Sequence, residues 1–172
     1  LNLGKRLLID EMTERNLEIF RRLNGRKGKG TLRHTIDATV TPMGGRLLED
    51  MLRHPWRDAA AITRIQDAVA FLHDDDTRRE AVREALRGVY DIERLSTRIT
   101  LNRAMPRDFL ALGNSLAALP RVLESLTAPS GNDYQTAAQQ DGDNLPPALS
   151  AIVQRWDSFE DCAALLARAI VD

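Results

Sequence analysis

One cysteine, Cys162, stands in 172 residues, so no disulfide can form within the chain, and a reducing cytoplasmic setting suits it. Cys162 falls within an apolar repeat and is expected to be a buried thiol rather than a reactive one. No apolar run approaches the roughly 18–20 residues that a membrane-spanning helix needs. The first apolar cluster, Leu7-Leu8-Ile9, is too short for a secretory signal. Leu1 is not an initiator methionine, and the sequence is expected to be a piece of a longer protein. No charge of one sign dominates: 24 Lys/Arg face 25 Asp/Glu, which excludes a basic nucleic-acid surface spread over the whole chain. The balance is uneven along the length, with 22 Lys/Arg and 18 Asp/Glu in residues 1–126 but 2 and 7 in residues 127–172.

Catalytic patterns are missing as well. Gly25-Arg26-Lys27-Gly28-Lys29-Gly30-Thr31 has the glycines of a phosphate loop, but Thr31 follows Gly30 directly, where a phosphate loop needs a lysine between them. The same stretch is basic, with Arg21, Arg22, Arg26, Lys27 and Lys29. A solvated loop is the simpler account; weak phosphate contacts from Arg26, Lys27 and Lys29 are the alternative. His73-Asp74-Asp75-Asp76 lacks the converging geometry of a cation cage and reads as helix capping. His34 and His54 have no ligand pattern around them, and the serines lack the glycine flanks of a nucleophile elbow. No catalytic, cofactor or metal residue is therefore assigned, and the chain is not expected to be an enzyme by itself.

Helical periodicity is what the sequence does contain. Phe109, Leu112, Leu116, Leu119, Leu123 and Leu126 are spaced three or four apart, as are Ile152, Trp156, Phe159, Ala163, Leu166 and Ile170. Such intervals put side chains on one helix face. Ile62, Ile65, Val69 and Leu72 repeat the pattern, and so do Val82, Leu86 and Val89. Thr41-Pro42 offers a hydroxyl cap and a first-turn proline, and the helix it opens should stop at His54-Pro55. Asp58 and one of Asp74, Asp75 or Asp76 can cap the next two helices, and Pro106 opens the leucine-striped one. Leu7-Leu8-Ile9 and Leu17-Glu18-Ile19-Phe20 fit short strands or helical turns. The expectation is an all-α, multi-helix bundle: a main helical part over 1–126, a flexible loop over 127–147 rich in proline, glycine and polar residues, and a helix over 148–172. Asp91-Ile92-Glu93-Arg94-Leu95 reads equally as an exposed ion-pair ladder or as a half-buried polar network fixing its helix on a neighbour.

Taken together, these segments resemble one family, the MutS DNA mismatch-repair proteins, in their bacterial branch. Asp10-Glu11-Met12-Thr13-Glu14-Arg15-Asn16-Leu17-Glu18-Ile19 is similar to its aspartate followed by Thr-x-x-Asn-Leu-Glu, and Thr41-Pro42-Met43-Gly44-Gly45-Arg46-Leu47-Leu48 to its Thr-Pro-Met-Gly-x-Arg-Leu-Leu. Arg53-His54-Pro55, Gln66-Asp67-Ala68-Val69, Asp91-Ile92-Glu93-Arg94-Leu95 with Arg98-Ile99, Ala104-Met105-Pro106-Arg107-Asp108 and Leu165-Leu166-Ala167-Arg168-Ala169-Ile170 continue in order. The loop over 127–147 has no counterpart pattern. The resemblance implies the first half of the family's core, or lever, domain. That helical bundle lies between the connector and ATPase domains, and a clamp domain is inserted into it.

By the same resemblance the parent binds mismatched duplex DNA, uses ATP and magnesium in its own ATPase domain, and is a homodimer. The present segment would couple DNA state to ATP state through rigid-body shifts. Structural roles are then expected for Pro42 and Pro106 as helix starts, for Gly44 in close packing, and for Arg46, Glu93, Arg94, Arg107 and Asp108 as ties between helix ends. Two rivals are a free-standing helical adaptor binding a partner protein through its apolar seams, and a DNA-binding module using the Arg21–Lys29 loop.

Overall fold

The computed structural model describes residues 6–129 and 145–170. Among these, nine helices form and no strand does. Where short strands or helical turns were both open near the N-terminus, Arg6 and Trp56 make a single isolated bridge. Leu17–Phe20 is a turn following α1 (Glu11–Asn16). No described helix is long and apolar enough to cross a membrane. The chain divides into two compact units, Leu1–Thr63 and Arg64–Asp172.

In the first unit, α1 begins where the Asp10 carboxylate accepts the Thr13 N–H. α2 (Leu32–Ile36) begins on Thr31, whose hydroxyl oxygen accepts the His34 N–H, and α3 (Pro42–Arg53) on Thr41, which receives the Gly44 N–H at 3.1 Å. α3 ends at His54 before Pro55, as the proline requires. The chain leaving α1 runs beside the start of α2, where Glu18 and Ile19 carbonyls accept the Leu32 and Arg33 N–H groups. At the N-terminal end the Arg6 guanidinium lies 3.5 Å from the Trp56 ring centre and donates to the His54 carbonyl, while the Leu7 N–H reaches the Pro55 carbonyl.

α4 (Ala59–His73) opens on Asp58, which accepts the Ala60 N–H, and the second unit begins within this helix. α5 (Asp76–Leu86) is capped by Asp75, and α6 (Ile92–Thr100) by Asp91. α7 (Pro106–Thr127) is the longest, and α5, α6 and α9 pack against it. Its inward face follows the predicted stripe: Leu116 and Leu126 are buried, and Phe109, Leu112, Leu119 and Leu123 are half-buried. The core beside it joins Ala68 of α4, Leu126 and Leu149, with Phe71, Leu72 and Val82 packed around them. On α4 the inward position is Ala68, not Val69, which is exposed.

Three further expectations are corrected. The helix over 148–172 is two helices, α8 (Pro147–Val153) and α9 (Glu160–Ala169). Phe159 between them adopts a left-handed φ of 50°, and its N–H is held by the Asp157 carboxylate at 2.8 Å. Pro147 opens α8 instead of ending the loop over 127–147, of which residues 130–144 lie outside the described ones. Cys162 is exposed, because Ala163 and Leu166 take the inward positions of α9. The long stripe also runs through a break that its spacing hides: Pro120 sits inside α7 and has no N–H for the Leu116 carbonyl.

Candidate functional site

α7 is held at both ends by arginines from its neighbours. At the N-terminal end Asp108 occupies the third helical position, where a carboxylate can reach back to the N-cap. Its Oδ2 accepts the Met105 N–H at 2.7 Å, and its Oδ1 accepts Arg98 Nη1 of α6 at 2.9 Å. Only 5% of Asp108 is exposed, so both oxygens are used and little water competes. The negative charge also complements the positive end of the helix dipole. Arg98 sits in the last turn of α6, and the chain leaves that helix through Asn102, which adopts the left-handed conformation with a φ of 52°.

At the other end Arg78, in the first turns of α5, crosses to the Ala128 carbonyl at 2.8 Å. Cations suit a helix C-terminus, whose last carbonyls lack partners. The same guanidinium lies 4.4 Å from the centre of the Phe71 ring and 3.4 Å from the Asp75 carboxylate. Its side chain is 9% exposed. Arg78 thus ties α4, the start of α5 and the end of α7 together.

Between these ends, Ser115 is fully buried. Its Oγ donates to the Ala111 carbonyl at 2.7 Å and accepts the Tyr90 N–H at 3.0 Å, pinning the α5–α6 connection to the middle of α7. Gly113 faces α9, and a Cβ there would meet Leu166 Cβ at 3.3 Å, so the two helices touch without room for a side chain.

The residues assigned from sequence fall in both units. Pro106 is the first residue of α7, and Asp108 forms the tie just described. Arg107 beside it is exposed. Glu93 and Arg94 are exposed on α6, and Arg94 lines a shallow cleft of about 150 Å³ with Tyr90, Asp91, Leu95, Arg98 and Ala111. Arg98, one turn beyond Arg94, makes a polar link from α6 to α7. In the first unit, Pro42 and Gly44 lie in the first turn of α3, and Arg46 is exposed. A Cβ on Gly44 would stand 3.1 Å from Thr41 Oγ1, so glycine keeps the cap accessible.

Sequence reasoning missed Arg78, Arg98, Ser115 and a chain of ion pairs in the first unit. There Arg53 joins Glu14 of α1 at 2.8 Å and Glu49 at 3.1 Å, Arg33 of α2 stands 3.7 Å from Glu49, and Arg53 also covers the Phe20 ring. A polar residue between leucines, as at Ser115, was the one readable signal; the other partners lie too far apart in sequence.

The basic loop is exposed and well formed. Gly25, Gly28 and Gly30 have φ of 80°, 92° and 94°, values that other residues adopt only under strain. The Arg26 and Arg22 carbonyls accept the Arg22 and Gly25 N–H groups, and the Gly28 carbonyl accepts both the N–H and the hydroxyl of Thr31. The helix that follows has only five residues. Asp10, Asp37 and Cys162 have shifted acidity. The Thr13 backbone N–H holds the Asp10 carboxyl below its ordinary value, and the Thr39 hydroxyl does the same for Asp37. The charge on Asp161 pushes the Cys162 thiol up, which disfavours its thiolate.

The family model described as MutS domain III matches residues 12–172. The DNA mismatch repair protein MutS of Desulfovibrio desulfuricans is 59% identical over 182 residues, covering 100% of this chain and 20% of that protein. The corresponding protein of Nitratidesulfovibrio vulgaris is 57% identical over 174 residues, covering 100% and 19%. That of the more distant Methanothrix thermoacetophila is 41% identical over 168 residues, covering 96% and 18%. The chain spans about a fifth of the length of the curated relatives it matches. With the family model covering nearly all of its residues, and all the ordered motifs but the first two residues of the earliest lying within that match, the chain belongs to the MutS domain III family.

Proposed function

We propose that this chain is the helical core segment of a MutS-like mismatch-repair ATPase and couples the binding of mismatched duplex DNA to ATP-driven conformational change. The observation that carries the reading is the fastening of α7 at both ends, by Arg98 on Asp108 and by Arg78 on the Ala128 carbonyl. A helix held only by apolar contacts can slide and rotate. Directional bonds at both termini hold each end of α7 to its neighbours, so that a displacement of those neighbours is passed to the helix. Large apolar side chains left exposed, among them Met12, Leu8, Leu17 and Leu47 in the first unit and Leu165, Leu101 and Tyr90 in the second, support a segment that packs against further parts of a longer protein. In this reading the connector, clamp and ATPase domains of the parent supply those surfaces. ATP and magnesium bind in the ATPase domain, and the parent acts in the cytoplasm as a homodimer.

The test is Asp108→Asn in the full-length parent. The substitution removes the charge that Arg98 meets while keeping the side-chain shape. Basal ATP turnover should persist, and its response to mismatched duplex should fall. An unchanged response, in a variant whose thermal midpoint has dropped, would refute a coupling role and leave Asp108 a stabilising residue only.

A further inference from the structure

The loop between α1 and α2 is the most strongly charged exposed feature of the described residues. Residues 21–29 carry five of the chain's 24 Lys/Arg and no Asp or Glu. Arg21, Arg22, Arg26, Lys27 and Lys29 are all exposed, and among the described residues none of them makes an ion pair. Nearby cations behave differently: Arg33 and Arg53 meet Asp37, Glu49 and Glu14. Acids are thus at hand in this unit, yet among the described residues none pairs with the loop's cations.

Its backbone is set to present that charge. The left-handed glycines Gly25, Gly28 and Gly30 alternate with Arg26, Lys27 and Lys29, and the turn bonds to the Arg22, Arg26 and Gly28 carbonyls fix their order. The N–H groups of Lys27, Gly28, Lys29 and Gly30 donate to no protein acceptor among the described residues. Lys27, Lys29 and Gly30 are exposed, so these donors lie in the same stretch as the cations. A phosphate diester takes both kinds of donor, ammonium or guanidinium and backbone N–H.

Nothing in Gly25–Gly30 suits the core of a protein interface, since no apolar or aromatic side chain lies there to be buried. Asn24 beside it has its Oδ1 taken by the Arg26 N–H, which leaves the three cations, and cations on glycine-rich backbone suit phosphates of any sequence. We infer that the exposed cations Arg26, Lys27 and Lys29 form a sequence-independent contact to the phosphate backbone of duplex DNA. This rests on the reading above, in which the segment belongs to a protein that handles DNA.

The test uses the full-length parent and a fully paired duplex as probe, with affinity measured across a salt series. The variant is Arg26→Ser, Lys27→Ser, Lys29→Ser; its control is the charge-preserving set Arg26→Lys, Lys27→Arg, Lys29→Arg. Each phosphate contact contributes about 0.9 to the slope of log affinity against log salt, so three contacts steepen the fall in affinity between about 50 and 200 mM salt by roughly 40-fold. The serine variant should lose up to that steepness, and the charge-preserving set should retain it. A serine variant with the parent's slope overturns the inference, including the case where the loop proves to dock on protein and only assembly changes. A charge-preserving set that loses as much slope as the serine variant also overturns it, because loop folding and not charge would then be responsible. A parent that binds no duplex overturns the proposed function as well, which separates the two failures.

Discussion

Replacing Asp108 by alanine tests how firmly the start of α7 is fastened. The substitution removes the acceptor of the Met105 N–H and of Arg98 Nη1 together. Loss of a capping interaction costs about 1 kcal/mol. Breaking a fully buried ion pair by removing one partner costs about 3–5 kcal/mol, but the Arg98 side chain is 41% exposed and water can take up its charge. Discounting for that screening leaves roughly 1–2 kcal/mol for the pair and about 2–3 kcal/mol in all. The chain itself offers a local reporter, since Trp156 lies in the second unit and Trp56 in the first. In a Trp56→Phe background, urea unfolding followed by Trp156 fluorescence should show the midpoint falling by about 0.7–3 M, given slopes of about 1–3 kcal/mol per molar urea. A double-mutant cycle with Arg98→Met should return a coupling energy of about 1–2 kcal/mol. A destabilisation below about 0.5 kcal/mol, the range of ordinary surface substitutions, or a coupling energy near zero, would refute the tie.

Ser115→Ala leaves the Tyr90 N–H without its acceptor in a closed site, and should cost about 1–3 kcal/mol in the same unfolding assay. Gly113→Leu forces a side chain into the space filled by Leu166, and should cost about 1–3 kcal/mol with faster amide exchange over α9; unchanged exchange there would count against the close contact. Asp10 titrates below its ordinary value when folded, so the stability it gives is present above that value and lost as pH falls through the lower, folded one. The Thr13 amide resonance should follow this acid titration, and Asp10→Asn should abolish it.

The boundaries of this fold were legible because they rest on local chemistry. Thr41-Pro42, Asp58, Asp75 and Pro106 each act within three residues of where they stand, and the helices start there. The leucine stripe of α7 was legible because its period is a property of one helix. The break at Phe159 was not, since the apolar spacing continues across it; the signal was Asp157, whose carboxylate holds the Phe159 N–H. The exposed face of Cys162 was misread for the same reason, because neighbouring Ala163 and Leu166 satisfy the period without it. The ties were the least legible part. Asp108 was picked out, but its partner Arg98 is ten residues away on another helix, and Arg78 meets a backbone carbonyl fifty residues on, which leaves no mark on the sequence.

Pro120 gives α7 a mechanical character that its length conceals. A helix resists bending through its ladder of hydrogen bonds, and at Pro120 one rung is missing. Bending stiffness along α7 therefore has its minimum near that residue. The bonds at Asp108 and Ser115 lie on one side of that residue and the Arg78 bond to the Ala128 carbonyl on the other, so any bending of α7 is concentrated between them. The longest helix is in this sense two stiff arms joined by a compliant joint, and its ends are clamped on either side of it.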